Sequence, residues 1–334
     1  MKNQKEADLK RRFKIICIVY FYIMNKFCIF PITDTESWDI YKKQIKAFWT
    51  IEEIDFSQDY NDFITLSSEI QHSIKLLLAF FSNSDGLVNF NIQNNLLNNY
   101  SKEIGFVYVF QMFMEQIHNE CYSFMIESIV RDVDEKEILF NSIEEIKEIK
   151  EISSWGLNYS MGPYSNAEKI LVFICFEGIM FSGAFAFIFW IKKIYNKGTI
   201  FLNGLIKSNE FISRDEGMHT DFGISVFNKY HSDLEDKKKI KIITDCVELS
   251  KKFNKSVLHI KYTGMNNELM DKYIEYMADR IFVSIGMKKY YNSQNPFNFM
   301  NTIGMMQKTN FHEGRPTEYQ RVKTKTDFKT TDEF

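Results

Sequence analysis

A long apolar segment with one buried charge limits how this chain can fold. Residues 170–191 are apolar or small except for a single charge, Glu177. The segment is long enough to span a bilayer, but a carboxylate near mid-bilayer costs roughly 2.5–3.5 kcal/mol on insertion scales. A helix that is apolar on all sides is also what the centre of a large helical bundle requires. The choice between membrane and bundle therefore depends on whether Glu177 has polar partners elsewhere.

Residues that break helices are scarce. The chain has 4 prolines and 14 glycines in 334 residues, and residues 32–162 and 164–295 contain no proline. Apolar residues recur there at spacings of three and four, as in Leu66, Ile70, Ile74, Leu77, Leu78 and Phe81. This spacing is typical of amphipathic helices. The sequence therefore predicts an all-α fold, with long helices joined by short loops in one domain.

Charge and cysteine content exclude several classes of protein. Lys and Arg total 41 and Asp and Glu total 44, so the basic excess of a nucleic-acid-binding surface is missing. The five cysteines are scattered and odd in number, and no two form a C-x-x-C pair. This pattern favours a reduced, cytoplasmic protein over a disulfide scaffold.

Both ends of the chain differ from its centre, which predicts three regions: a leader (1–26), a helical domain (27–307) and a flexible tail (308–334). In the leader, basic residues precede a short apolar stretch, residues 15–24. That stretch resembles a signal peptide, but it lacks a small-residue cleavage pattern and is too short to span a membrane. A packed leader and a targeting segment both remain open. The tail is polar and lacks helical periodicity, which is typical of a mobile segment.

Two E-x-x-H motifs place a carboxylate and an imidazole on one helical face. They are Glu115/His118 and Glu216/His219. Side chains at i and i+3 are neighbours on a helix, so each pair can bind one metal ion. One such motif arises readily by chance. Two of them raise the hypothesis of a dimetal bundle, in which two further helices each contribute a carboxylate.

Asp85 and Glu177 fit the two further positions. Each lies in or beside an apolar helix, where a charge is tolerated only when it is paired or bound to a metal. We place Asp85, Glu115/His118, Glu177 and Glu216/His219 on four separate helices. Many carboxylates with only two imidazoles suit iron or manganese better than zinc or copper.

A third motif, Glu69/His72, does not fit this site. At 100° per residue, His72 and Asp85 differ by about 220° on a straight helix. Glu69 and His72 also lie among polar residues. Both are predicted to be on the surface.

Tyr122 follows His118 by one helical turn, so it lies on nearly the same face. A tyrosine at this position borders the predicted metal site. From spacing alone it is either a core aromatic with a bonded hydroxyl or a redox-active residue.

Four segments closely resemble the small subunit of class I ribonucleotide reductase. They are SDGLVN at 84–89, MEQIHNECYS at 114–123, EGIMFSGAFAFIFWIKK at 177–193 and NEFISRDEGMHTDF at 209–222. The similarity extends from about residue 27 to the C-terminus. It implies a ferritin-like bundle that assembles a di-iron centre with O2, and a tyrosyl radical that a large subunit uses to reduce ribonucleotides.

The resemblance also implies residue roles. Asp85, Glu115 and His118 would hold one iron ion, and Glu177, Glu216 and His219 the other, with iron favoured over manganese. Tyr122 would carry the radical, inside an apolar pocket formed by Phe181, Phe185 and Ile212. Radical transfer would use Trp49, Asp215 and His118, and then Tyr319 in the tail. Phe328 and Phe334 match the spacing of the peptide that docks to the large subunit.

The implied assembly is a homodimer, or a heterodimer with a paralogous small subunit, and it includes neither nucleic acid nor a membrane. Two residues depart from the family pattern: Phe90 replaces an expected Glu, and Cys121 replaces an apolar residue. These departures leave an alternative open, namely a divergent paralogue that modulates an active small subunit. An iron-storage bundle would not explain Trp49, Tyr319 or the tail.

Overall fold

The computed structural model describes residues 28–300, apart from 197, 199, 259, 260 and 263. The regular secondary structure in this part of the chain is helical except for one short hairpin. Its helices are α1 (Thr35–Lys46), α2 (Asp59–Phe63), α3 (Ser68–Asn91), α4 (Lys102–Ile129), α5 (Val133–Phe140), α6 (Ser142–Glu145), α7 (Lys147–Met161), α8 (Asn166–Cys175), α9 (Ser182–Tyr195), α10 (Asn203–Tyr230), α11 (Asp236–Val257) and α12 (Asn267–Ser284). A 3₁₀ turn covers Ile51–Glu53, and π-helical turns cover Ile92–Leu96 and Phe176–Met180. The hairpin pairs β1 (Lys261–Tyr262) antiparallel with β2 (Met265–Asn266).

Serine caps determine where the central helices begin. The Ser67 hydroxyl accepts the Ile70 N–H at the start of α3, and the Ser101 hydroxyl accepts the Ile104 N–H at the start of α4. Helix α8 begins with a capping box, in which the Glu168 carboxylate accepts the N–H of Ser165 at 3.0 Å. Each cap satisfies a backbone N–H that has no partner within its helix.

The apolar segment 170–191 lies inside the protein, and every one of its residues is buried. It belongs to a continuous helical stretch, Asn166–Tyr195, whose length and composition would also allow it to span a membrane. The stretch joins α8 to α9 through the π-helical turn that contains Glu177. Such turns are rare and often occur at functional sites.

The buried stretch α8–α9 packs together with three other helices, α3, α4 and α10. Helix α3 packs along α4, α4 contacts α10, and α10 packs against α8 and α9, while α8 also contacts α3. The prediction of an all-α, ferritin-like bundle is therefore confirmed.

Contacts along the chain place a division between Pro296 and Phe297. The leader (1–26), Tyr319, Phe328 and Phe334 lie outside the described residues. The predicted roles of these regions stay predictions.

Candidate metal centre

The six predicted ligands lie on four helical segments and converge in the core. Asp85 is on α3, Glu115 and His118 are on α4, Glu177 is on the π-helical turn, and Glu216 and His219 are on α10. At most 3% of the surface of each residue is exposed. Four carboxylates in a dry core are costly unless a cation or hydrogen bonds compensate for their charge.

The ligand atoms form two groups that share Glu115. One group contains Asp85, Glu115 and His118, and the other contains Glu115, Glu177, Glu216 and His219. Within each group the candidate ligand atoms lie within 4.8 Å of one another. The shared glutamate places the groups side by side, as in a site for two neighbouring metal ions.

Each imidazole contacts two glutamates. His118 Nδ1 lies 3.1 Å from Glu115 Oε2 and 3.0 Å from Glu216 Oε1. His219 Nδ1 lies 3.0 Å from Glu115 Oε1 and 2.9 Å from Glu216 Oε2. The two E-x-x-H motifs therefore face each other, although they are far apart in the sequence.

Burial and mutual repulsion shape the electrostatics of the site. Burial, followed by the charges of Glu115 and Glu216, raises the pKa of Asp85 well above its ordinary value. Burial and the same two charges also raise the pKa of Glu177. Burial alone would lower the pKa of His219, but the charges of Glu115 and Glu216 outweigh it and raise the pKa to about 9. The site concentrates negative charge that a cation would neutralise.

The donor atoms fit a pair of metal ions. Asp85 Oδ2 and Glu177 Oε2 are buried, and neither has a hydrogen-bond partner within the described part of the chain. Buried carboxylate oxygens without partners are rare in folded proteins, and a bound ion or water would satisfy them. Carboxylate oxygens with imidazole nitrogens are ligands suited to iron or manganese.

Gln111 is a member of the site that the sequence analysis did not identify. It lies one turn before Glu115 on α4 and is fully buried. Its Nε2 donates to Glu115 Oε1 at 3.2 Å and to Glu177 Oε1 at 3.1 Å. The spacing of four residues from Glu115 was a usable signal, since it places both side chains on one face.

Tyr122 is buried in an aromatic cluster. Its ring stacks on Phe81 with centroids 4.7 Å apart and planes within 9°. Phe81 also stacks on Phe185 and contacts Phe181. Ile212 is fully buried as well. Burial, followed by the charge of Asp85, raises the pKa of Tyr122 well above its ordinary value, so the resting phenol keeps its proton. The sequence analysis included Phe81 in a helical apolar pattern but did not connect it with Tyr122.

Trp49, Asp215 and His118 form a hydrogen-bonded chain. Trp49 Nε1 donates to Asp215 Oδ2 at 2.7 Å, and His118 Nε2 lies 3.3 Å from the same oxygen. The other oxygen of Asp215 accepts two N–H groups of Arg214, at 2.8 and 3.0 Å. Burial alone would raise the pKa of Asp215, but Arg214 and the hydrogen bond from His118 lower it below its ordinary value. Arg214 was not identified from the sequence.

Glu69 and His72 are exposed on α3, as predicted from the helical angle of His72 and from the polar residues around both. Phe90 is also exposed, whereas Cys121, the residue before Tyr122, is fully buried. Neither departure from the family pattern replaces one of the six candidate ligands.

Comparisons with known proteins agree on one family. Residues 26–296 match the family described as ribonucleotide reductase, small chain. The ribonucleoside-diphosphate reductase small chain of Vaccinia virus (strain Ankara) is 42% identical over 299 residues, which cover 89% of this chain and 92% of the relative. That of Nicotiana tabacum is 41% identical over 303 residues and covers 89% of each chain. Among solved structures, the ribonucleotide reductase Rnr4 homodimer from Saccharomyces cerevisiae matches with a TM-score of 0.73 and 32% identity. The match covers 84% of this chain and 89% of that chain.

Proposed function

Because this chain belongs to the ribonucleotide reductase small-chain family, and is thus a subunit of an oxidoreductase, we propose that it generates and stores a tyrosyl radical at a di-iron centre. The large subunit uses this radical to reduce ribonucleoside diphosphates to deoxyribonucleotides. One observation supports the proposal most directly: six buried candidate ligands form two adjoining groups near a buried tyrosine.

Asp85, Glu115 and His118 would hold one iron ion, and Glu177, Glu216 and His219 the other. Glu115 belongs to both ligand groups, so it would contribute to holding both ions. The bound ions supply the oxidising power, drawn from O2, that removes one electron from a phenol. We favour iron over manganese, as the family resemblance implies.

Tyr122 would carry the radical. In the resting state its raised pKa keeps the proton on the hydroxyl oxygen. Oxidation removes one electron from the ring and this proton from the oxygen. Phe81 stacks on the ring and packs in turn against Phe181 and Phe185, and this apolar cluster would exclude the water and reductants that quench a phenoxyl.

Radical transfer would leave the site through His118, Asp215 and Trp49. Asp215 Oδ2 contacts both rings, so one carboxylate oxygen couples the imidazole to the indole and fixes their relative orientation. From Trp49 the path would continue to Tyr319 and into the large subunit. The tail would dock there through Phe328 and Phe334.

We also propose that the chain forms a homodimer through α4, or a heterodimer with a paralogous small subunit. One face of α4 exposes 56% of Val109, 49% of Phe113 and 46% of Phe124. An apolar face of this kind is typical of a protein–protein interface. The solved Saccharomyces cerevisiae relative is a homodimer. Free cysteines in the described chain suit the reducing cytoplasm, where we place the protein.

Iron loading tests the site. Protein loaded anaerobically with Fe(II) and then exposed to O2 should hold about two iron ions per chain and give a tyrosyl signal in electron paramagnetic resonance. Glu115→Ala should lose bound iron because it removes the ligand shared by both groups. The matched control Glu69→Ala, on an exposed carboxylate of a similar motif, should keep both ions.

Two outcomes would contradict the proposal. Folded wild-type protein without bound iron would contradict the metal site. Two bound ions without any radical after exposure to O2 would favour the alternative, a paralogue that modulates an active small subunit.

A further inference from the structure

Gln111 links the two candidate ligand groups. Its Nε2 donates to Glu115, the ligand that the groups share, and to Glu177, which belongs to only one of them. The two glutamates lie on different helical segments, α4 and the π-helical turn. One side chain therefore ties the turn that carries Glu177 to the helix that carries an E-x-x-H motif.

The chemistry of an amide suits this position. A primary amide has two N–H donors, so it can serve two carboxylates at once. It carries no net charge, so it stabilises ionised glutamates without competing with a metal ion for their charge. A lysine here would add a cation, and a leucine would leave two buried oxygens without donors.

The hydrogen bonds also determine which carboxylate oxygen of Glu177 is left to bind a metal ion. They engage Oε1 of Glu177, whereas its buried Oε2 has no hydrogen-bond partner among the described residues. The oxygen of Gln111 is buried and likewise without a hydrogen-bond partner there, so the amide acts on the site through its donor group alone. Turning the amide over would place its oxygen against two carboxylates, which is repulsive.

We propose that Gln111 is a positioning residue that orients Glu177 and thereby controls occupancy of the metal position formed by Glu177, Glu216 and His219. The Asp85, Glu115 and His118 position depends on it less, because only one member of that group, Glu115, accepts from the amide, whereas two members of the other group, Glu115 and Glu177, do so. This inference rests on the proposed metal site. It makes a separate claim, namely that the two ions are bound unequally when the amide is removed.

Anaerobic titration with Mn(II), followed by electron paramagnetic resonance, tests the proposal without requiring activity. Wild-type protein should bind two ions per chain and show the spectrum of a magnetically coupled pair. Gln111→Met keeps a similar length but has no donor. This variant should lower the affinity for the second ion by about 10- to 100-fold, the usual effect of removing a hydrogen bond to a metal ligand. At one equivalent, the variant should show the spectrum of an isolated ion.

Gln116→Met is the matched control, since Gln116 is exposed on the same helix. It should bind both ions as the wild type does. If Gln111→Met fails to fold, Gln111→Asn replaces it, because this variant keeps an amide but withdraws it by one methylene. It should give the same selective loss.

The outcomes separate the two claims. Unchanged affinity for both ions in the Gln111 variant, or equal weakening of both, overturns the positioning role while leaving the metal site intact. A wild-type protein that binds no Mn(II) overturns the proposed metal site and this inference together.

Discussion

At the scale of single residues, Tyr122 combines a reactive group with an inert surrounding. The phenol stacks on Phe81 and lies near enough to Asp85 for that charge to raise its pKa. Apart from its one oxygen, the side chain contributes the same ring to the core as a phenylalanine would. Chemistry and packing at this position can therefore be separated by one substitution.

We expect Tyr122→Phe to bind two iron ions and to lose the tyrosyl signal. The ring volume is nearly unchanged, so the free energy of unfolding should change by about 1 kcal/mol or less. Iron analysis and electron paramagnetic resonance on the same sample measure both effects. A variant that keeps the wild-type signal would assign the radical to another residue.

At the scale of the helices, α10 begins in an unusual way. Leu202 precedes it in a left-handed conformation, with φ at 47°, and offers no side-chain cap. Asp59 of α2 supplies the cap instead: its Oδ1 accepts the Gly204 N–H at 2.9 Å, and its Oδ2 accepts the Leu205 N–H at 2.7 Å. Glycine is required at 204, because an added Cβ would lie 2.1 Å from a ring carbon of Phe56.

Removing this cap should destabilise the helix that carries Glu216 and His219. Asp59→Ala should lower the free energy of unfolding by about 1–2 kcal/mol, as for other helix caps. Denaturant unfolding of the metal-free protein measures the change. Asp39→Ala, at an exposed position in α1, is the control and should stay within about 0.5 kcal/mol of the wild type. Equal stability of the two variants would contradict the capping role.

At the scale of the whole molecule, the small-chain family to which this protein belongs works with a large subunit. The tail, which lies outside the described residues, is the proposed connection. A segment that becomes ordered only on binding docks reversibly and with modest affinity, and this is the behaviour that we predict for the tail. Burial of Phe328 and Phe334 would supply roughly 1.5–3 kcal/mol each.

A chain that ends at Thr326 should therefore keep its iron and its radical but lose turnover with the large subunit. A peptide of residues 327–334 should inhibit the intact complex by competition.

Tyr319→Phe should dock normally and still fail to turn over, because only the transfer step is lost. Nucleotide reduction at the wild-type rate by the truncated chain would place docking elsewhere.

Several features of the site could be predicted from the sequence because they are local. The three-residue spacing of Glu115/His118 and Glu216/His219 places each pair on one helical face wherever the helix lies. The isolated charge of Glu177 in an apolar segment requires a partner, whatever the topology. The helical angle between His72 and Asp85 separated the surface motif from the others before any packing was known.

Only the tertiary structure decided the contacts between helices. Gln111 lies 66 residues from Glu177, and Asp59 lies 145 residues from Gly204. Trp49 lies 166 residues from Asp215. Helical periodicity specifies which face of a helix is buried, but not which helix covers that face or at what height. Glutamine and arginine also occur commonly on surfaces, so the spacing that places Gln111 on the face of Glu115 did not by itself show that Gln111 is buried, and nothing in the sequence distinguished Arg214 from a solvated residue.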